Sequence, residues 1–382
     1  MSMITILPVR NRRERRIFLT FPWRIFKDDP LWVPPLLPDL EERIDPRRGV
    51  FFQHGGDAEY FIAWRDGKPV GTISAAEDRF ANASTGNREC IFGFFHFIQD
   101  EQVMHALLEH VKDWARRRGL VTISGPFNLD YEDSYGILVE GRDRPPALMC
   151  GHTPPYYYDF IERANLWPAR GDNIAFALDL TAPNPALDEL SRMAARVRQH
   201  GRFTIRAGRM EQWEEELERI YTLLNIALTH LTDYRPWPRE VVFNSLAQFR
   251  KIADPELVLF AECKGETIGW LPGLSNLNEA FIHANGLRYP WDYLKLAFYL
   301  RRKTKCLTIK SALVLPEYWG SGVAALMFDE MLQRARSRGY QWIDASITSD
   351  DNPRTPALGK RFGAQVYKRY RVYRGKTGSE EK

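Results

Sequence analysis

One helix ending occurs twice in this chain. Ala115, Arg116, Arg118, Gly119 and Ile123 recur in the same order and spacing as Ala335, Arg336, Arg338, Gly339 and Ile343. Upstream of each, a glycine-bounded hairpin recurs as well, with Gly67 and Gly71 answered by Gly265 and Gly269. Repetition of whole supersecondary units in the same order points to two related halves. The second copy holds about 22 extra residues between hairpin and helix, near 278–305, and they include an aromatic, amphipathic helix candidate at 289–300.

Each half reads as an antiparallel meander followed by a helix and a strand. In the first, a short strand at 4–8 precedes strands at 60–64 and 70–74, which flank Asp66-Gly67-Lys68-Pro69, a hairpin signature, and a third strand follows at 91–98. Asp100 is placed to cap a helix with Val103, Leu107, Val111 and Ala115 on its buried face, before a strand at 120–124. Phe18, Phe21, Trp23, Phe26 and Trp32 stand among basic residues, a pattern that suits a peripheral membrane contact or burial against the sheet. Burial is the usual fate of such aromatics and is the reading preferred. Pro183 and Pro185 mark a linker, and 186–197 reads as a connecting helix. The expected fold class is α/β (mixed α+β) in two tandem domains, each a mixed antiparallel and parallel sheet flanked by helices. Their expected boundaries are 1–180 and 201–382, with the linker and connecting helix at 181–200.

The sharpest chemistry lies at 316–324. The run 306–315 has the length and apolar content of a buried strand and ends at Pro316, which cannot donate to a ladder. From Val323 the apolar positions Leu326, Met327, Met331 and Ala335 keep helical spacing. Gly320 and Gly322 at this strand-to-helix junction let backbone N–H groups converge where the helix start adds unpaired donors and a positive dipole end. No carboxylate lies between Tyr318 and Phe328, so a bound phosphate meets no competitor there.

This stretch resembles motif A of the GNAT acyl-CoA N-acyltransferases, in which a strand ending Val-x-Pro is followed by Gln/Arg-x-x-Gly-x-Gly/Ala. Val314-Leu315-Pro316 fits, Gly322 and Ala324 occupy the small positions, and Trp319 stands where the family has Gln or Arg. The order of elements in both halves is similar to a GNAT unit over nearly the whole chain. The resemblance implies acyl-CoA or acetyl-CoA as co-substrate, with Leu313, Val314, Trp319, Gly320, Ser321, Gly322, Val323, Ala324 and Asn352 as its contacts. It implies transfer of the acyl group to an amine. The Gly-Pro-x-Asn of 125–128 and the Pro-Pro-Tyr-Tyr of 154–157 sharpen it toward a bacterial group that includes the ceramide synthases, which N-acylate a sphingoid amine. A lipid amine is thus one expected acceptor, a small-molecule amine the other.

The first copy has Gln99-Asp100-Glu101-Gln102 where the second has Gly320-Ser321-Gly322-Val323. Two carboxylates at a helix start satisfy the dipole themselves and repel a pyrophosphate, so the first copy is read as degenerate for coenzyme binding. It remains a source of acceptor contacts, with Asn128, Glu132, Asp133, Tyr156 and Tyr157 as candidates, joined by Tyr234 from the second copy. The Glu that the family often carries before motif A is missing, and the place of its last-helix Tyr falls near Gly359. Glu279, His283, His230 and Asp233 are the substitutes for a catalytic base. An acyl-CoA-binding or sensing protein without turnover is the alternative.

A net charge of +4 with pI near 8.8 suits anionic ligands and, without a basic block or reader motif, excludes a nucleic-acid binder. The four cysteines make no metal-ligand or disulfide pattern, so no metal is expected. With no secretory h-region and no apolar run of spanning length, the expected location is cytoplasmic.

Overall fold

The computed structural model describes residues 3–129, 136–230, 236–247, 249–352 and 355–378. In chain order the first half contributes β1 (Thr5–Pro8), β2 (Asp57–Arg65), β3 (Lys68–Glu77), β4 (Glu89–Phe97), β5 (Thr122–Gly125), β6 (Ile137–Glu140), β7 (Trp167–Pro168) and β8 (Asn173–Asp179). The second contributes β9 (Thr204–Ala207), β10 (Val258–Cys263), β11 (Glu266–Ser275), β12 (Cys306–Ile309), β13 (Leu313–Val314), β14 (Trp342–Ser349), β15 (Gln365–Arg371) and β16 (Tyr373–Lys376). The class is mixed α/β, with helices flanking two mixed sheets.

Two compact units emerge, and neither is continuous in sequence. The first comprises 1–173, 278–302 and 368–382, and the second 174–277 and 303–367. The boundaries expected from the repeat, 1–180 and 201–382, assign the insert and the chain end to the second half, whereas both pack with the first. The connecting helix Pro185–Gln199 belongs to the second unit, where Leu187, Leu190 and Ala194 enter its core. The copies have exchanged last strands: β16 lies between β5 and β7 in the first unit's sheet, and β8 lies between β15 and β14 in the second's. The sequence of a final strand specifies its pleat and says nothing about which sheet receives it.

In the first unit the order is β1-β2-β3-β4-β5-β16-β7, antiparallel except for β4 and β5. Strand alternation divides its core in two. Phe61 and Ala63 of β2 face the helix Glu101–Arg117, while Ile62 faces Phe18, Leu19, Leu37 and Leu40 of the N-terminal helices. Phe18, Phe21 and Phe26 are therefore core residues, each no more than 3% exposed. The second unit's sheet runs β15-β8-β14-β12-β11-β10-β9, with β13 also paired to β11. Leu259 and Ala261 of β10 face the helix Val323–Ser337, and Val258 and Phe260 face the helix Trp213–Ala227.

The repeated glycines have the same work in both copies. Asp66-Gly67 and Lys264-Gly265 hold positive φ at both residues, the geometry of a two-residue hairpin turn. Gly71 and Gly269 admit the following helix: a Cβ on Gly71 would stand 2.8 Å from Leu107, and one on Gly269 3.0 Å from Met327.

Candidate active site

The 306–315 run, expected as one strand, is two. Gly273–Ser275 of β11 pair Leu307–Ile309 of β12, and Gly269 and Trp270 pair Val314 and Leu313 of β13, with Lys310–Ala312 between. β12 also pairs β14 in parallel, from Cys306 with Trp342 to Ile309 with Ala345. Beyond that register the chain leaves β14 and follows β11 alone, so the sheet parts at Lys310.

An apolar cavity of about 130 Å³ opens at this parting. Its walls come from the helix Val323–Ser337 (Phe328, Met331), the connecting helix (Leu187, Leu190) and the helix Thr355–Arg361 (Leu358, Gly359). Lys310, Ser311 and Ala312 form one lip, and Ala345 to Thr348 the other. Gly359, near the place where the family carries its tyrosine, lines the cavity, and a Cβ there would stand 3.2 Å from the Phe176 ring.

Beside this opening lies a polar network that the sequence reading missed. Lys310 Nζ donates to Asp344 Oδ2 at 3.1 Å and to Ser346 Oγ at 2.5 Å. The Ser346 hydroxyl donates to Asp344 Oδ2 at 2.7 Å, and the Tyr367 hydroxyl to Asp344 Oδ1 at 2.7 Å. Asp344 is fully buried, so its charge depends on these donors for solvation. The signal was available: Lys310 is the one cation in the apolar run 306–315, and Asp344 is the one carboxylate in β14. Their meeting depends on the parallel register of β12 and β14, which no local pattern reports.

The turn itself has the geometry of an anion cradle. Gly320 and Gly322 take φ of +77° and +87°, and Gly322 is the N-cap of Val323–Ser337, whose first turn has no acidic residue. Among the described residues, the N–H groups of Gly320, Gly322, Ala324 and Ala325 donate to no protein acceptor, while Val323 N–H reaches the Ser321 hydroxyl at 3.4 Å. These donors at a helix start fit a pyrophosphate. Gly322 also has a packing reason to be glycine, because a Cβ there would stand 2.5 Å from Val197 Cγ2. Trp319 turns back to the strand, its indole N–H donating to Val314 O at 2.9 Å, and the His230 ring meets it edge-on at 4.9 Å. Asn352 bonds Thr348 Oγ1 at 3.4 Å, just past the end of β14.

In the first copy the equivalent features are filled by protein. Burial pushes the Asp100 carboxyl up, but Arg65 at 2.6 Å and the N–H groups of Gln102 and Val103, from all of which it accepts, together hold it below the usual range. Asn128 Oδ1 accepts from Phe94 N–H at 2.7 Å. The Tyr157 hydroxyl accepts from Phe97 N–H at 2.9 Å, and the Tyr156 hydroxyl donates to Phe97 O at 2.6 Å. The polar atoms of three acceptor candidates are thus bonded to the backbone of β4. Tyr157 is buried and stacks on Phe97 at 4.2 Å.

Of the remaining candidates, His283 stacks on Tyr299 at 3.8 Å, and burial, then Arg302, lower its pKa. It and Glu279 belong to the first unit, whereas His230 and the turn belong to the second. Glu132, Asp133, Asp233 and Tyr234 lie outside the described residues. No cluster of His, Cys, Asp and Glu able to hold a metal occurs among the described residues.

The sequence profile of the acetyltransferase (GNAT) family matches twice, at residues 23–128 and 211–364, and the chain belongs to that family. The bacterial ceramide synthase of Caulobacter vibrioides (strain NA1000 / CB15N) is 28% identical over 376 residues, 97% of each chain. Protein YghO of Escherichia coli (strain K12) is 27% identical over 374 residues, 95% of this chain and 93% of that protein. Among solved structures, a tandem GNAT protein from the clavulanic acid biosynthesis pathway superposes with a TM-score of 0.59 at 12% identity, covering 99% of this chain and 100% of that one. A glucosamine N-acetyltransferase region of a fungal multi-domain β-N-acetylglucosaminidase gives 0.58 at 13% identity, covering 98% of this chain and 38% of that one. The tandem GNAT architecture expected from the repeat is the architecture observed.

Proposed function

We propose that the chain transfers an acyl group from acyl-CoA to an amine, and that the second unit carries the donor. The observation that carries this reading is the Lys310-Asp344-Ser346-Tyr367 network beside the apolar cavity where the sheet parts, with the amide cradle of 320–325 opening the helix Val323–Ser337 that also walls that cavity.

The cradle takes the pyrophosphate on backbone N–H groups, and the cavity takes the acyl group. Its volume is close to the ~150 Å³ of apolar cavities that accept benzene, so it has room for roughly five or six carbons as it stands. Lys310 stands at the cavity lip, where its ammonium stabilises negative charge developing on the thioester carbonyl oxygen. Asp344, Ser346 and Tyr367 are positioning residues that fix the ammonium and balance its charge. The amine nitrogen bonds the carbonyl carbon, the C–S bond breaks, and the amine proton leaves with the sulfur as free coenzyme A thiol.

Similarity to a protein named bacterial ceramide synthase over 97% of both chains supports a long-chain amine, such as a sphingoid base, as acceptor. The test is release of coenzyme A thiol from acetyl-, hexanoyl- and palmitoyl-CoA, with and without sphinganine or a short alkylamine. Amine-dependent release is the expected result. Tight acyl-CoA binding with no release for any pair would favour a sensor, for which the missing family Glu and Tyr already speak.

A further inference from the structure

The insert that separates the two copies carries a helix, Pro290–Leu300, whose apolar side chains are on the outside. Trp291, Leu294 and Phe298 are 55%, 74% and 55% exposed and, at i, i+3 and i+7, form one stripe. Tyr293 and Leu300, 51% and 48% exposed, widen it on the far side. Side chains of this size are ordinarily core, and so large an apolar arc on one short helix marks an interaction surface.

The exposure does not come from a loose segment. Asn278 Nδ2 donates to Pro146 O and Ala147 O at 3.0 and 2.9 Å, and Trp23 Nε1 donates to Asn285 Oδ1 at 2.8 Å. Gly286 sits so close to Trp23 that a Cβ would stand 2.4 Å from its ring. Asp292 is fully buried and accepts from Tyr289 N–H and Asn285 Nδ2, closing the helix start. The insert is bolted to the first unit while its apolar face stays out.

Charge identifies the partner. From 288 to 302 there are four cations, Arg288, Lys295, Arg301 and Arg302, and one acid, the buried Asp292. Arg302 lies over the Phe298 ring at 4.7 Å, so the cations adjoin the apolar stripe. Trp and Tyr with a collar of Lys and Arg match the boundary of an anionic bilayer, where rings enter the acyl region and cations meet phosphates. A second copy is disfavoured, because a two-fold contact through this face sets the same cations against themselves. We propose that the Pro290–Leu300 helix docks the protein on an anionic lipid surface, lying in the interface rather than crossing it.

The experiment is flotation of the full chain with vesicles of phosphatidylcholine alone and with phosphatidylglycerol added. Expected are binding to the anionic vesicles, weakening as salt rises, and at least about a tenfold drop in partition for Trp291→Ser/Leu294→Ser/Phe298→Ser. Lys295→Gln/Arg301→Gln/Arg302→Gln should lose most of the preference for anionic vesicles. Both variants change exposed residues, and an unchanged thermal midpoint shows that they fold. Failure of the wild type to float, or equal flotation of the triple serine variant, overturns the proposal. So does a dimer by light scattering that the serine variant dissolves, which would give the face to a second copy.

Discussion

Lys310 and Asp344, 34 residues apart on β12's extension and on β14, meet at 3.1 Å with side chains 9% and 0% exposed. An ion pair so deep is costly to half-remove, because the survivor keeps its charge without its partner. Asp344→Asn keeps the size and much of the hydrogen bonding but leaves the ammonium uncompensated. We expect a loss of about 3–5 kcal/mol in urea unfolding, and a fall in kcat for thiol release larger than any change in KM. Native stability with unchanged kcat would remove the network from the proposed site.

The same pair shows what the sequence did and did not disclose. The repeated glycines were legible because each answers a local demand: positive φ at Gly67 and Gly265, and helix approach at Gly71 and Gly269. The turn at 320–324 was legible for the same reason. The exchange of β8 and β16 was not, since a strand's alternation does not name its neighbour. Nor was the break at 310–312, because Lys310 sat in a run whose apolar average read as one strand. Lys310 and Asp344 are unremarkable singly and become a site only through the register of Thr308 with Asp344. Tyr156 and Tyr157 are a different case: the resemblance of Pro-Pro-Tyr-Tyr suggested acceptor contacts, and no local pattern reports that their hydroxyls reach the β4 backbone.

Cavity length should set acyl preference. Ala345 is on the cavity lip and Gly359 in its wall, where a Cβ would already meet the Phe176 ring at 3.2 Å. Ala345→Phe fills the opening with a ring, so transfer from hexanoyl-CoA should fall at least about tenfold relative to acetyl-CoA, the scale of one or two lost methylene-sized contacts. Thiol release across the acyl series reads this directly. An unchanged ratio would mean that the acyl group lies elsewhere.

Acid should destabilise the first unit through His96. Its ring is half-buried and meets Phe26 edge-on at 6.3 Å, its Nδ1 is enclosed, and burial lowers its pKa from 6.5 to about 4. Between these values the unfolded chain binds a proton that the folded chain refuses, so stability falls as pH drops from 6.5 toward 4 and is fully present above 6.5. Burial lowers His110 and His152 as well, the latter against the pull of Asp29, and both add in the same direction. His96→Phe removes one such site, so its stability relative to wild type should rise steadily as pH is lowered through the window. Urea midpoints at half-unit steps from pH 7.5 to 4.5 check it, and parallel curves would refute the assignment.

Coenzyme binding should depend on the turn of the second unit, and two roles of Gly322 must be separated to show it. Any side chain there meets Val197 Cγ2 at 2.5 Å and is held at φ +87°, so Gly322→Glu confounds a clash with a charge. In a Val197→Ala background most of the clash is relieved. Gly322→Ala then keeps the backbone strain, of order 1–2 kcal/mol, without a charge. Gly322→Glu adds a carboxylate beside N–H groups that would otherwise meet the pyrophosphate. We expect the double variant with Ala to bind acetyl-CoA within a few-fold of wild type, and the double variant with Glu to lose binding in calorimetric titration. Asp100→Ala is the control from the first copy: it removes a helix cap worth about 1 kcal/mol and a partly exposed bond to Arg65, and should leave acetyl-CoA affinity unchanged. Loss of binding in a folded Asp100→Ala protein, or full affinity in the Glu variant, would place the coenzyme in the first unit.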